Sequence, residues 1–212
     1  MQKIIYLPGW LNSADNMRPL AEFVGGDFEI LDFPTDLPRS VVEMADWAAS
    51  KISAPAYIAG HSFGGKVAIA IASRHPEKVM GIFVIAGSNR GRWVFRMLKP
   101  AVKLAKWLGF SGRRFRTADY ANSTPVMKEV MAKTLDFNII PLARRVKCPA
   151  TFIYGELDRT TPPTLGKKLA TATPNAKFFA LPGYTHQTVI TSGVYQAGAI
   201  VKAGIPLKST CP

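Results

Sequence analysis

Ala59-Gly60-His61-Ser62-Phe63-Gly64-Gly65 joins the apolar run Ala56 to Ala59 to the helix-like run Lys66 to Ser73. The pattern is Gly-x-Ser-x-Gly set between a strand and a helix. A nucleophilic serine needs its hydroxyl held clear of a sheet, and a very tight strand-to-helix turn does this with a strained backbone at the serine. Gly60 and Gly64 leave room for that turn to close. Because the turn also starts a helix, the amide of Phe63 falls among donors that no helical carbonyl can satisfy, where it can face a developing negative charge. The alternative is a serine that only caps a helix in a glycine-rich turn, and the flanking strand and helix weigh against it.

Working outward, the strand and helix signals alternate. Lys3 to Leu7 reads as a buried strand, and Pro8-Gly9-Trp10-Leu11-Asn12 turns the chain away from its end. A helix is expected over Ala14 to Val24, with Ser13 as its cap and Gly25-Gly26 as its stop. Phe28 to Phe33 reads as a short strand followed by the proline-marked loop Pro34 to Pro38. Ser40 and Glu43 form a capping box ahead of an apolar stripe of Val41, Val42, Ala45, Ala48 and Ile52. After the Tyr57 strand and the Ser62 helix, His75-Pro76 ends that helix. Val79 to Ala86, Ala150 to Tyr154 and Lys177 to Leu181 read as further strands, the last two separated by a helix over Leu165 to Thr171. This alternation implies a mostly parallel sheet with helices on both faces, and ligands in such sheets bind at the carboxyl ends of the strands.

The 212 residues, 48% hydrophobic, suffice for one sizeable core, so a single domain over 1–212 is expected. The N-terminal stretch is too short in apolar residues for a signal-peptide core or a membrane span. Cys148 and Cys211 have neither metal-ligand spacing nor a disulfide framework. A soluble, cytoplasmic protein is the expectation.

On these motifs the chain resembles a small α/β-hydrolase, a fold whose triad runs in the order Ser, Asp or Glu, His. The resemblance implies Ser62 as nucleophile. The family's acid turn, Gly-x-x-Asp-x-x-x-Pro, is matched by Gly155-Glu156-Leu157-Asp158-Arg159-Thr160-Thr161-Pro162, which implies Asp158, with Glu156 as the rival acid. The base follows the last strand after a glycine, and Gly183-Tyr184-Thr185-His186 implies His186. An imidazole can take the serine proton, and a carboxylate fixes its tautomer. Of the other histidines, His61 is expected to point away from the base position, and His75 to sit at a helix end. The family's oxyanion loop implies the Trp10 amide as second donor beside Phe63. Its usual histidine is replaced by Pro8, which matters little because the donor is a backbone amide. Two departures stand out. The strand before the oxyanion loop is the first in the chain, so the family's two antiparallel N-terminal edge strands are not expected, leaving about six strands. Two residues also intervene between Gly183 and His186.

Charge is distributed unevenly. Residues 87–147 hold 14 of the 27 Lys and Arg and 3 of the 14 acidic side chains, so most of the net +13 lies there. In the family this position holds a helical cap, here 88–147. From Arg92 to Leu108 the apolar positions follow helical spacing, with Arg92, Arg96, Lys99, Lys103 and Lys106 opposite and Pro100 as a kink. A solvated helix face over an apolar roof accounts for such a pattern. Docking of an acidic carrier protein also fits, as does an anionic membrane surface. In architecture and cap charge the chain resembles the pimeloyl-acyl-carrier-protein methyl ester carboxylesterases, whose cap arginines hold an acidic carrier. Nucleic acid is not expected, since no recognition motif accompanies Trp93, Phe95, Trp107 and Phe115, the aromatics interleaved with the basic residues. The expected activity is hydrolysis of carboxylic esters through an acyl-enzyme, with no metal or organic cofactor. Thioester, lactone and carbon-carbon cleavage stay open, as does a non-catalytic binding protein on the same scaffold.

Overall fold

Ile4, Tyr6, Tyr57, Ala59, Phe83 and Ile85 face one side of the central sheet, while Ile5, Leu7, Ile58, Ile82 and Val84 face the other. This period-2 alternation with apolar residues on both sides is what a sheet buried on both faces requires. The structure, a computed structural model, describes residues 2–10, 14–89 and 123–206. Within them lie strands β1 (Ile4–Leu7), β2 (Phe28–Ile30), β3 (Ala56–His61), β4 (Val79–Ile85), β5 (Ala150–Gly155) and β6 (Ala176–Leu181). They form one sheet in the order β2-β1-β3-β4-β5-β6. Every pairing is parallel.

Helices cover both faces. One core gathers α2 (Val41–Lys51), α3 (Phe63–Arg74), α5 (Ile140–Ala143) and α6 (Pro163–Ala172), with Val130 of α4 (Pro125–Asp136). The other face carries α1 (Arg18–Val24) and α7 (Val194–Ala203). Among the described residues no helix is long and apolar enough to cross a membrane.

The local signals act largely as their chemistry dictates. Ser40 and Glu43 close a reciprocal capping box at the start of α2. His75 follows α3, its Nε2 2.7 Å from Asp46 Oδ1. Three elements differ from expectation. The helix expected over Ala14 to Val24 is divided into a 3-10 turn at Ala14–Asn16 and α1, because Pro19 has no amide to continue a helix and fits only its first turn. Ser13, its expected cap, lies outside the described residues. The strand expected to reach Phe33 stops at Ile30. The Leu31 amide still bonds to the Tyr6 carbonyl, and the chain then leaves the sheet towards Pro34. Helix α7 carries no clear sequence signal. Gly198 interrupts it, and a Cβ there would run into the Phe23 ring of α1. The glycine is a packing residue between two helices. Cys148 is half-buried, and burial pushes its thiol up to about 11, which keeps it protonated and inert near neutral pH.

Candidate active site

Ser62 follows the last residue of β3 and is the first cap of α3, with φ 51° and ψ −108°. A side chain at positive φ is strained by about 1–3 kcal/mol, so the surroundings must hold it. They do so through the main chain. The Ser62 amide donates to the Ile85 carbonyl at 2.8 Å, and its own carbonyl accepts from Lys66 and Ser88, each at 3.3 Å. Glycine is required on both sides. A Cβ at Gly60 would overlap the backbone of Gly64 and Gly65, and one at Gly64 would overlap the carbonyls of Leu7 and Pro8. The second contact also brings the Pro8-Gly9-Trp10 loop against the start of α3.

The Ser62 hydroxyl is free of capping duty and lies 3.0 Å from His186 Nε2. The other imidazole nitrogen, Nδ1, is 2.8 Å from Asp158 Oδ2. The Asp158 side chain is fully buried, and that of His186 retains 12% exposure. Asp158 follows β5 and His186 lies five residues beyond β6, so adjacent strands deliver the carboxylate and the imidazole to the same end of the sheet. Glu156, the rival acid, is exposed.

Burial alone would push the Asp158 carboxyl up. Hydrogen bonds from His186 and from the Thr161 amide and hydroxyl outweigh it and hold the group below its ordinary value. Oδ1 accepts from the amides of Thr160 (2.8 Å) and Thr161 (2.7 Å), an Asx-type turn. The Thr161 hydroxyl is 2.7 Å from Oδ2, 3.0 Å from His186 Nδ1 and 3.0 Å from the Ala86 carbonyl. Thr161 is thus part of the site, although sequence reading singled out only the aspartate. The available signal was polar: Asp158-Arg159-Thr160-Thr161-Pro162 is a turn that ties a carboxylate to its own backbone.

His61 also differs from expectation. It shares the sheet face of Tyr57 and Ala59, and the base loop comes down on that face. Its ring therefore meets His186 rather than avoiding it. His61 Nε2 is 3.0 Å from the His186 carbonyl oxygen, and the two ring centres are 4.9 Å apart.

The amides of Trp10 and Phe63 carry no hydrogen bond among the described residues. The Trp10 ring packs edge-on against Phe63, with ring centres 5.4 Å apart. Phe33 also packs edge-on against Phe63, with ring centres 4.9 Å apart. A half-buried apolar wall therefore flanks the serine. Arg92, Arg96, Lys99, Lys103 and Lys106 lie outside the described residues. Two surface clefts of ≈ 560 and ≈ 650 Å³ lie elsewhere, against Arg144, Arg145, Lys147, Lys167 and Lys168, and none of Ser62, Asp158 and His186 lines either. No group of three or more His, Cys, Asp or Glu that could hold a metal ion occurs among the described residues.

A hydroxyl, an imidazole and a carboxylate in hydrogen-bonded series at a strained strand-to-helix turn can activate the hydroxyl for attack on a carbonyl. Comparison with known proteins agrees with this chemistry. The pimeloyl-[acyl-carrier protein] methyl ester esterase of Chromobacterium violaceum is 25% identical over 86% of each chain. The protein of that name from Neisseria meningitidis is 25% identical over 65% of this chain and 64% of its own. The enol-lactonase of Burkholderia xenovorans LB400 superimposes with a TM-score of 0.72 at 20% identity, covering 94% of this chain and 90% of its own. Residues 4–200 match the Alpha/beta hydrolase family, and the chain belongs to it.

Proposed function

We propose that the chain is a serine carboxylesterase in which Ser62 is the nucleophile, His186 the general base and acid, and Asp158 the group that orients it. The observation that carries the reading is the series Ser62 Oγ to His186 Nε2 at 3.0 Å and His186 Nδ1 to Asp158 Oδ2 at 2.8 Å. Ser62 Oγ attacks the ester carbonyl while its proton passes to His186 Nε2. The tetrahedral oxyanion is held by the amides of Trp10 and Phe63, each contributing about 3 kcal/mol to the lowered barrier. Collapse breaks the bond to the alkoxy group, which leaves as the alcohol with the proton from His186. Water then gives a proton to His186 and attacks the acyl-enzyme, releasing the acid and restoring Ser62. Throughout, Asp158 stays ionised and steadies the imidazolium.

The substrate class we favour is an acyl ester borne on an acidic carrier, which the names of two relatives support. Residues 88–147 form the cap in this reading, and Arg92, Arg96, Lys99, Lys103 and Lys106 receive the carrier. Charge complementarity of that kind steers encounter and orientation more than it adds affinity.

Intact-mass measurement after exposure to a fluorophosphonate tests the chemistry. A single adduct on Ser62, absent in Ser62→Ala and His186→Ala, is expected. Folded wild type that forms no adduct would overturn it. For the carrier, reversing the charge of Arg92, Arg96 and Lys103 should raise KM for carrier-linked esters far more than for small soluble ones. Equal losses on both defeat that part.

A further inference from the structure

The base loop has to place one imidazole against two partners at once, and its own hydrogen bonds only partly explain how. Leu157 donates its amide to the Tyr184 carbonyl at 2.9 Å, and the Thr185 amide donates to the Thr188 hydroxyl at 2.7 Å. Both ties lie before or after His186. At His186 itself, the hydrogen bond of the carbonyl among the described residues comes from the His61 ring.

His61 is completely buried. Burial, with the neighbouring His186 second, pushes its imidazole down to about 3, so the ring is neutral and carries one proton. Because Nε2 faces a carbonyl oxygen, that proton sits on Nε2 and is donated. Nδ1 is then a bare acceptor, buried and without a partner. An apolar residue would fill this space without leaving an orphaned acceptor, which is unfavourable in a protein interior. What only a donor at this position supplies is the bond to His186.

We propose that His61 is a positioning residue that fixes the base relative to the nucleophile. It donates Nε2–H to the His186 carbonyl and packs its ring beside the His186 ring. His61 and Ser62 are consecutive in the chain. One link of backbone therefore sets both the serine hydroxyl and the anchor of the base that must reach it, so any drift of the base loop is measured against the residue next to the nucleophile. The inference rests on the triad reading given above.

The test uses the full chain with His61→Phe, which keeps a ring of similar size without a donor, and His61→Gln, whose amide nitrogen can replace Nε2–H. His61→Leu serves as the donor-free variant if the phenylalanine does not fold. Four readouts are compared: kcat and KM on a short soluble ester, the rate of fluorophosphonate labelling, the thermal midpoint, and the low-field proton resonance of the His186 Nδ1–H beside Asp158. The donor-free variant should lose about 10- to 100-fold in kcat and in labelling rate. Its KM should stay within about twofold. The low-field resonance should weaken, with the thermal midpoint held or raised because the orphaned Nδ1 is gone. His61→Gln should recover most of the rate and the resonance. Wild-type kcat and resonance in the donor-free variant would overturn the proposal, as would equal losses in Phe and Gln that follow the thermal midpoint. Absence of a Ser62 adduct on wild type overturns the triad reading itself, which the variants do not touch.

Discussion

The turn that carries Ser62 and the loop that carries His186 meet at two hydrogen bonds, one from each of His61 and Ser62 to His186, yet they are held in the main by different means. The turn is fixed by absence. Gly60 and Gly64 have no side chains because the main chains of β1, Pro8 and α3 occupy that space. The base loop is fixed mainly by presence, through bonds with Thr161, Leu157 and His61 from other parts of the chain and with Thr188 within the loop, although a Cβ at Gly155 would also meet its Tyr184 and Thr185 carbonyls. Gly183 makes the contrast plain. It lies in the base loop at φ 78°, and nothing stands within 4 Å of where its Cβ would be. A steric site fails by collision and takes the fold with it. A polar site fails by loss of partners and should spare the fold.

The largest expected effect tests the polar side. Asp158→Asn should lower kcat by about 10⁴-fold through the wrong tautomer of His186, with a native circular dichroism spectrum and thermal transition. Unfolding of this variant would break the contrast. Next, Gly64→Ala should destabilise the fold by about 3 kcal/mol or more, since the new Cβ meets rigid carbonyls. Chemical denaturation measures this, and activity should fall in step with it. Thr161→Val keeps the shape and removes the hydroxyl. A loss of about 2 kcal/mol is expected for a bond to a charged group, along with a lower kcat and a rise of the Asp158 carboxyl towards its ordinary value.

Lys66 sharpens the comparison, because it is a polar tie on the steric side. Its ammonium is 1% exposed, donates to the Thr134 carbonyl at 2.6 Å, and is pushed down to about 8 by burial. Between that value and its unfolded value of 10.5 the unfolded chain binds the proton and the folded chain does not. Wild-type stability therefore rises with pH across this window. Lys66→Met should be more stable than wild type at pH 7 by roughly 1–2 kcal/mol, and denaturation at successive pH values should show the gain shrinking above pH 8. A gain that is constant with pH would mean the amine is not desolvated. Smallest of all, Gly183→Ala should lower stability by only about 1 kcal/mol, the strain of a left-handed residue with free space around it. A loss as large as that of Gly64→Ala would erase the distinction.

The same division explains what could be read from the sequence. The elbow is local: glycine, serine and glycine sit between an apolar run and a helical one, so its strand, turn and helix are all legible between Ala56 and Ser73. The parallel sheet is legible for a similar reason, since each strand announces itself by its own apolar run. Asp158 and His186 could be singled out only through resemblance, because what joins them to each other and to Ser62 spans remote parts of the chain. Nothing within Tyr184-Thr185-His186 reveals that His61, 125 positions earlier, reaches its carbonyl. Thr161 was hidden as one polar residue among several in a turn. Helix α7 was hidden because Gly198, which weakens its helical signal, is explained only by Phe23 across the interface.

The strand order has a consequence in time. Synthesis proceeds from the N-terminus, yet a domain folds as a unit. Because β4, β5 and β6 follow one another along a single edge beyond β3, Ser62 is synthesised well before Asp158 and His186. On the proposed triad, a chain cut short before β6 would carry the serine without its base.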